Sequence, residues 1–288
     1  VVFSLIRDLL SGTARINVKT RFEVQGKSGM GSMSQVYRAF DKKLGRTVCL
    51  KVLDKEKTAK FEARFPGLKK PPEGAISMEF SHPNIVKTYE HGITTDDEPC
   101  VIMEWIDAPG LHGLIEAGGN RLAGKRGRLL AQMASAIGYV HQKKFLHRDI
   151  CPRNVLVHPQ EGAKFIDFGL AVPYTPDFCK PGNRTGTANY LAPEIVKRSS
   201  TDHRVDLFSL GVTAYEMFTL ELPWGRTESI QALLSAMTAP PRNPRELVPD
   251  MEDEVVAFLM KAVERDARKR FQSASEFASA AKQLPNRW

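Results

Sequence analysis

The chain shifts from mostly strand-like to mostly helical patterns near residue 104, and that shift limits what it can fold into. From Phe22 to about residue 104 the chain reads as short apolar strands separated by turns, as in RFEV, QVYRAF, TVCLKVL and VIMEWI. Beyond about residue 111 the spacing turns helical. LLAQMASAIGYV (129–140) is apolar nearly all round, as a buried helix should be, and 205–220, 230–237, 252–262 and 273–284 carry helical patterns. Strands first and helices after predict an α+β protein with a smaller β-rich part and a larger helical part.

The totals agree with a globular chain. Its 288 residues exceed one average domain but are few for three. No apolar run reaches the length of a membrane span, and no signal-peptide pattern is visible. The first residue is Val1 rather than methionine, as expected of a fragment or a processed start. The net charge of +8 is dispersed rather than gathered on one stretch, so no nucleic-acid partner is expected. Cys49, Cys100, Cys151 and Cys179 show neither metal nor disulfide spacing, which predicts reduced thiols and a cytoplasmic setting. A membrane tether outside the sequence stays open. Residues 1–21 read as an N-terminal extension with a short helix: Val2, Leu5, Ile6, Leu9 and Leu10 keep helical spacing, and Gly12 is the stop.

The chemistry concentrates in HRDICPRNVLV (147–157) and FIDFGLA (165–171). Two carboxylates and an amide stand there in fixed order: Asp149, Asn154 and Asp167. The set suits phosphoryl transfer. One aspartate can take the proton of an attacking hydroxyl, while an amide and a second aspartate hold divalent metal among phosphates. H-R-D-x-x-x-x-N, then D-F-G, then APE at 192–194 resembles the catalytic core of the protein kinases. The resemblance runs from about Phe22 to the C-terminus, and VYRAFD and SHPNIV are similar to bacterial-type Ser/Thr kinases in particular.

The resemblance implies a bilobal fold. Its N-lobe (22–103) would be small, antiparallel and β-rich with one regulatory helix. A hinge (104–110) would lead to a mostly helical C-lobe (111–288), with ATP and Mg2+ between the lobes. Two alignments of the glycine loop compete. One uses Gly26 and Gly31; the preferred one reads Gly29-x-Gly31-x-x-Ser34-x-Val36, which leaves Val36 in register. Val48-Cys49-Leu50-Lys51 is similar to the kinase V-A-I-K strand, so Lys51 would hold phosphates and pair with a helix glutamate. Glu73 is the first choice for that partner, with Glu62 and Glu79 as rivals. The run KKPPEG predicts a helix that starts near Pro72, or that is short or mobile. Cys49, Met103, Glu104, Ile106 and Leu156 would complete the nucleotide contacts.

By the same resemblance Asp149 is the catalytic base, and Asn154 and Asp167 bind magnesium. Thr187 in GTANYLAPE would hydrogen-bond Asp149, which points to Ser/Thr acceptors on protein substrates. His147 would pack beneath Phe168, Asp206 would brace the catalytic loop, and Glu194 would pair with Arg270. Arg148 would meet a phosphate on the activation loop, where Thr185 is the first candidate for autophosphorylation and Thr175 the second. One departure matters. Cys151 stands where Ser/Thr kinases usually have lysine, and Arg153 is the cation that would compensate. The alternative is a pseudokinase that binds ATP or acts as a scaffold, favoured a little by Ser34, Cys151 and the Pro-Pro-Glu-Gly run and opposed by intact Lys51, Asp149, Asn154 and Asp167. A small-molecule phosphotransferase is a third reading, opposed by Arg148 and the APE segment.

Overall fold

The computed structural model describes residues 15–30, 34–65, 67–182 and 184–288. They fall into two compact units. The first runs to His82 and resumes over Val86–Asp107; the second takes Pro83–Ile85 and Ala108–Trp288.

The first unit is a six-stranded sheet with short helices. In chain order it holds β1 (Arg15–Ile16), α1 (Val18–Arg21), β2 (Phe22–Met30), β3 (Ser34–Asp41), β4 (Arg46–Leu53), α2 (Lys55–Glu62), α3 (Glu73–Met78), β5 (Thr88–Thr94) and β6 (Pro99–Glu104). The sheet order is β1-β5-β6-β4-β3-β2. Pairing is antiparallel except between β1 and β5. Alternation along the strands puts Phe22, Ala39, Val48, Leu50, Cys100 and Ile102 into one buried cluster with Ile16. The Arg21 fork fastens this layer, reaching Asp41 at 2.7 Å and Glu90 at 2.8 Å.

Two features of this unit differ from the sequence reading. The fold begins before Phe22, because Arg15–Ile16 extends the sheet edge in parallel register with Ile93 and Thr94. A two-residue strand has too little periodicity to be seen in a sequence. The helix read over residues 1–12 lies outside the described residues. The expected single helix is α3, and α1 and α2 are additional. Both are marked by side-chain caps, Asn17 accepting from the Thr20 amide and Asp54 from the Lys57 amide.

The second unit is mainly helical: α4 (Leu111–Glu116), α5 (Arg126–Gln142), α6 (Pro193–Val196), α7 (Arg204–Thr219), α8 (Ile230–Ala236), α9 (Asp253–Ala262) and α10 (Ala274–Lys282). Between α5 and α6 lie the short strands β7 (Phe145–Leu146), β8 (Val155–His158), β9 (Gly162–Phe165) and β10 (Val172–Pro173), paired β8 with β9 and β7 with β10. Helix α7 is buried from Val205 to Thr219. Its buried polar side chains, Asp206, Ser209, Thr213, Glu216 and Thr219, are partnered rather than exposed. Pro83–Ile85 joins this unit by specific bonds. The Asn84 side chain donates to the Ala163 carbonyl at 2.7 Å, and the Phe165 amide donates to the Asn84 carbonyl at 3.0 Å.

Candidate active site

In the first unit, strand register gathers one row of predicted residues. Gly29 pairs with Val36, Val36 with Lys51, and Cys49 with Met103. Paired residues share a face, and residues two apart on one strand share it too. Val36, Cys49, Lys51 and Met103 therefore stand on one side of the sheet. Ser34 begins β3 and is buried; Gly31 lies outside the described residues. Glu104 closes β6, accepts from the Lys87 amide at 2.9 Å and is followed by half-buried Ile106.

Lys51 Nζ meets Glu73 Oε1 at 2.6 Å, with both side chains about 5 % exposed. Glu73 therefore takes the position for which Glu62 and Glu79 are rivals in the sequence. It is the first residue of α3, and Pro72 is its N-cap. Proline suits that place, because the first turn has no use for its missing N–H. The odd Gly74 has a spatial reason: a Cβ there would lie 2.3 Å from the His91 Cβ. Helix α3 docks on β5 too closely for any side chain, and that approach delivers Glu73 to Lys51. A buried pair of this kind loses about 3–5 kcal/mol when one partner alone is removed.

In the second unit, the chain between β7 and β8 carries the chemistry. Asp206, buried at the start of α7, receives the amides of His147 at 2.8 Å and Arg148 at 2.9 Å, and the His141 ring at 2.9 Å. Burial alone would raise its carboxyl, but the bonds from His141 and His147 hold it below the ordinary aspartate value. Arg148 sits at φ 66°, a left-handed backbone rare for such a residue. Its amide bond to Asp206 holds that conformation. His147 lies against Phe168, ring centroids 4.8 Å apart, and burial pushes its imidazole down, so it stays neutral.

Asp149 projects from this braced loop. Its Oδ1 accepts from the Thr187 amide at 2.8 Å and the Thr187 hydroxyl at 2.7 Å. Its Oδ2 accepts from Asn154 Nδ2 at 2.8 Å, and the same nitrogen donates to the Asp149 carbonyl at 2.8 Å. That use of the amide nitrogen leaves Asn154 Oδ1 as an oxygen donor. The Ile166 amide donates to the Asn154 carbonyl at 3.1 Å, which fixes Asn154 beside the segment carrying Asp167. Asp167 in turn accepts from the Gly169 amide at 2.8 Å. Thr187 reaches Asp149 because Gly186, at φ 130°, passes the Arg148 carbonyl where a Cβ would lie 2.6 Å from that oxygen.

Oxygen donors from one carboxylate and one amide fit a hard cation that keeps waters and takes phosphate oxygens as further ligands. Among the described residues no group of three or more His, Cys, Asp or Glu could hold a metal ion by itself. Cys151 is buried beside this centre, 3.7 Å from the Thr187 hydroxyl. Burial, and then the charge of Asp149, push its thiol up to about 12, so it is a neutral neighbour. Arg153 is exposed, two residues on, and Leu156 is half-buried in β8.

Glu194 and Arg270 form a two-pronged pair at 2.7 and 2.8 Å. One nitrogen of the Arg148 guanidinium, Nη2, donates to the Phe178 carbonyl and the Thr201 hydroxyl, both at 3.0 Å, while its buried Nε meets no partner. Thr185, the first candidate for modification, is 2 % exposed and its hydroxyl meets no partner. The close passage of Gly186 draws its neighbour inward, whereas Thr175 is exposed. The sequence reading missed His141, whose bond to Asp206 spans 65 positions and leaves no local signal.

The chain is similar to known proteins over this same framework. The family model described as protein kinase domain matches residues 22–283. A probable serine/threonine-protein kinase of Streptomyces coelicolor is 31% identical over 264 residues, which cover 89% of this chain and 38% of that protein. A second, of Clostridium perfringens, is 31% identical over 260 residues, 89% of this chain and 37% of that one. Serine/threonine-protein kinase PknB of Mycobacterium leprae is 28% identical over 267 residues, covering 90% and 42%. The chain spans about two fifths of the length of these curated relatives. With the family model running from the second strand into the last helix, and the braced Asp149 loop inside it, the chain belongs to the protein kinase domain family.

Proposed function

We propose that this chain transfers the γ-phosphate of ATP to serine and threonine hydroxyls of proteins, in a cytoplasmic setting. The observation that carries the proposal is the Asp149 carboxylate, with one oxygen held by Thr187 and the other by Asn154. A carboxylate so fixed orients an acceptor hydroxyl and takes its proton as the oxygen bonds to the γ-phosphorus and ADP leaves. Lys51, steadied by Glu73, neutralises phosphate oxygens of the nucleotide. By the resemblance Gly29 and Gly31 would let the chain come close to the phosphates. Val36, Cys49 and Met103, which share one strand face, with Glu104 and Ile106, would contact the base and sugar, and the resemblance adds Leu156. Asn154 and Asp167 would hold Mg2+, which would offset charge on the phosphates. Arg153 supplies the cation that Cys151 does not. The named relatives support a Ser/Thr acceptor, and so does the Thr187 contact. Exposed Thr175 is the better autophosphorylation site in this conformation. The scaffold alternative has no observation in its favour.

The test is transfer of labelled γ-phosphate to the protein itself and to a generic basic substrate, beside Asp149→Asn. Phosphoserine or phosphothreonine that vanishes in the variant supports the reading. Magnesium-dependent ATP binding without transfer would overturn it. Arg153→Ala should lower turnover far more than nucleotide affinity; unchanged turnover would remove Arg153 from the mechanism.

A further inference from the structure

The second unit carries a small basic groove that the proposed chemistry does not use. It is a cavity of about 130 Å³ whose lining includes Leu114 of α4, Leu129 of α5, Arg121, Lys125, Arg128 and His158. Leu114 and Leu129 are buried and form an apolar floor, while Arg121, Lys125 and Arg128 are exposed around it.

The groove is preformed. Gln132 clamps the β8–β9 turn to α5, donating to the Glu161 carbonyl at 2.9 Å and accepting from the Ala163 amide at 3.1 Å. Gly162, at φ 87°, permits this, because a Cβ there would lie 2.1 Å from the Gln132 side chain. The Val157 amide donates to the Pro109 carbonyl at 2.9 Å and ties the opposite wall to β8. A groove fixed by its own scaffold loses little freedom on binding.

Its charge is uncompensated. Among the described residues no carboxylate lies within 4.0 Å of Arg121, Lys125 or Arg128. Arg128 spends one bond on the Gln160 carbonyl at 3.4 Å. The carboxylate on the turn, Glu161, is engaged by Lys164 at 2.9 Å. The first turn of α5 holds no acidic residue. Elsewhere on this chain exposed cations such as Lys43, Lys180, Lys261 and Arg268 do meet carboxylates. A free inorganic anion would gain nothing from the apolar floor, and the cations are too exposed to enclose one. A peptide satisfies both parts, with an apolar side chain on the floor and carboxylates against the rim.

We propose that this groove docks an extended acidic peptide segment of a protein partner, one apolar residue flanked by Asp and Glu. Docking there is read without ATP, so it stands or falls separately from phosphoryl transfer.

The test uses the full chain and a fluorescein-labelled ten-residue peptide of Glu and Asp around one Leu, followed by fluorescence anisotropy. Saturable binding is expected, weakened about tenfold or more by Lys125→Glu/Arg128→Glu, and less by Lys125→Gln/Arg128→Gln. The Glu-to-Gln peptide should bind comparably weakly. These side chains are exposed, and an unchanged thermal unfolding curve checks each variant. The matched charge change Lys55→Glu/Lys60→Glu on α2 should leave binding intact. Equal loss in that control, unaffected binding in the groove variants, absence of saturable binding, or tighter binding of a single-stranded RNA of equal charge would each overturn the proposal.

Discussion

Thr187 holds one oxygen of Asp149 through two donors, its amide and its hydroxyl. Only the hydroxyl can be removed by substitution, so Thr187→Ala isolates the part played by orientation. It should lower kcat by about 10–100-fold while KM for ATP changes by less than about twofold, with Thr187→Ser restoring most of the rate. Steady-state kinetics with varied ATP check this; an equal loss in both parameters would mean general disruption instead. The neighbouring Cys151 carries a second expectation. Its burial and raised thiol predict resistance to iodoacetamide in the folded protein and rapid labelling only on unfolding, read by mass spectrometry. Much at this scale was legible in the sequence, because the spacing of Asp149, Asn154 and Asp167 is local. Their hydrogen-bond partners were legible only where the family resemblance supplied them, as with Thr187. His141 and the inward turn of Thr185 were not legible, since both depend on segments far apart in the chain.

At the level of elements, α3 shows how a poor helix sequence can be the right one. Pro72 precedes the first turn and Gly74 clears His91, so a run that weakens helix propensity makes the docking possible. Gly74→Ala should raise intrinsic helix propensity yet destabilise the protein by about 1–3 kcal/mol through overpacking, read from urea denaturation. It should also lower activity through the displaced Lys51–Glu73 pair. A gain in stability would mean that the His91 ring yields. The short start and brevity of α3 were readable from KKPPEG, and the long helices from their apolar spacing. The edge strand Arg15–Ile16 was not, because two residues carry no pattern and its pairing with β5 is set across the sheet. The basic groove was equally hidden: Gln132 and Gly162 stand 30 positions apart and become one clamp only through the β8–β9 hairpin.

For the molecule as a whole, buried histidines set the acid side of stability. Burial lowers the pKa of His147, His82 and His91 below 6.5. Below that pH the unfolded chain binds protons that the folded chain does not, so stability rises with pH and is lost as the solution is acidified. Asp206, Asp202, Asp41 and Glu90, also lowered, extend the loss to more acidic pH, while Glu216, raised by burial, opposes it. Denaturant midpoints should therefore fall between pH 7 and pH 5, with a slope of up to about 1.4 kcal/mol per pH unit for each histidine kept neutral. A flat profile in that window would contradict this assignment. By itself the sequence determined the α+β order, because apolar spacing is read locally; Asp149, Asn154, Asp167 and Lys51 were singled out through short motifs that resemble those of the protein kinases. The tertiary structure alone decided that Glu73 meets Lys51, that Thr185 is buried and Thr175 exposed, and that three cationic side chains, Arg121, Lys125 and Arg128, line one groove. Those outcomes depend on which distant surfaces pack together, and packing is settled by close approach and burial rather than by distance along the chain.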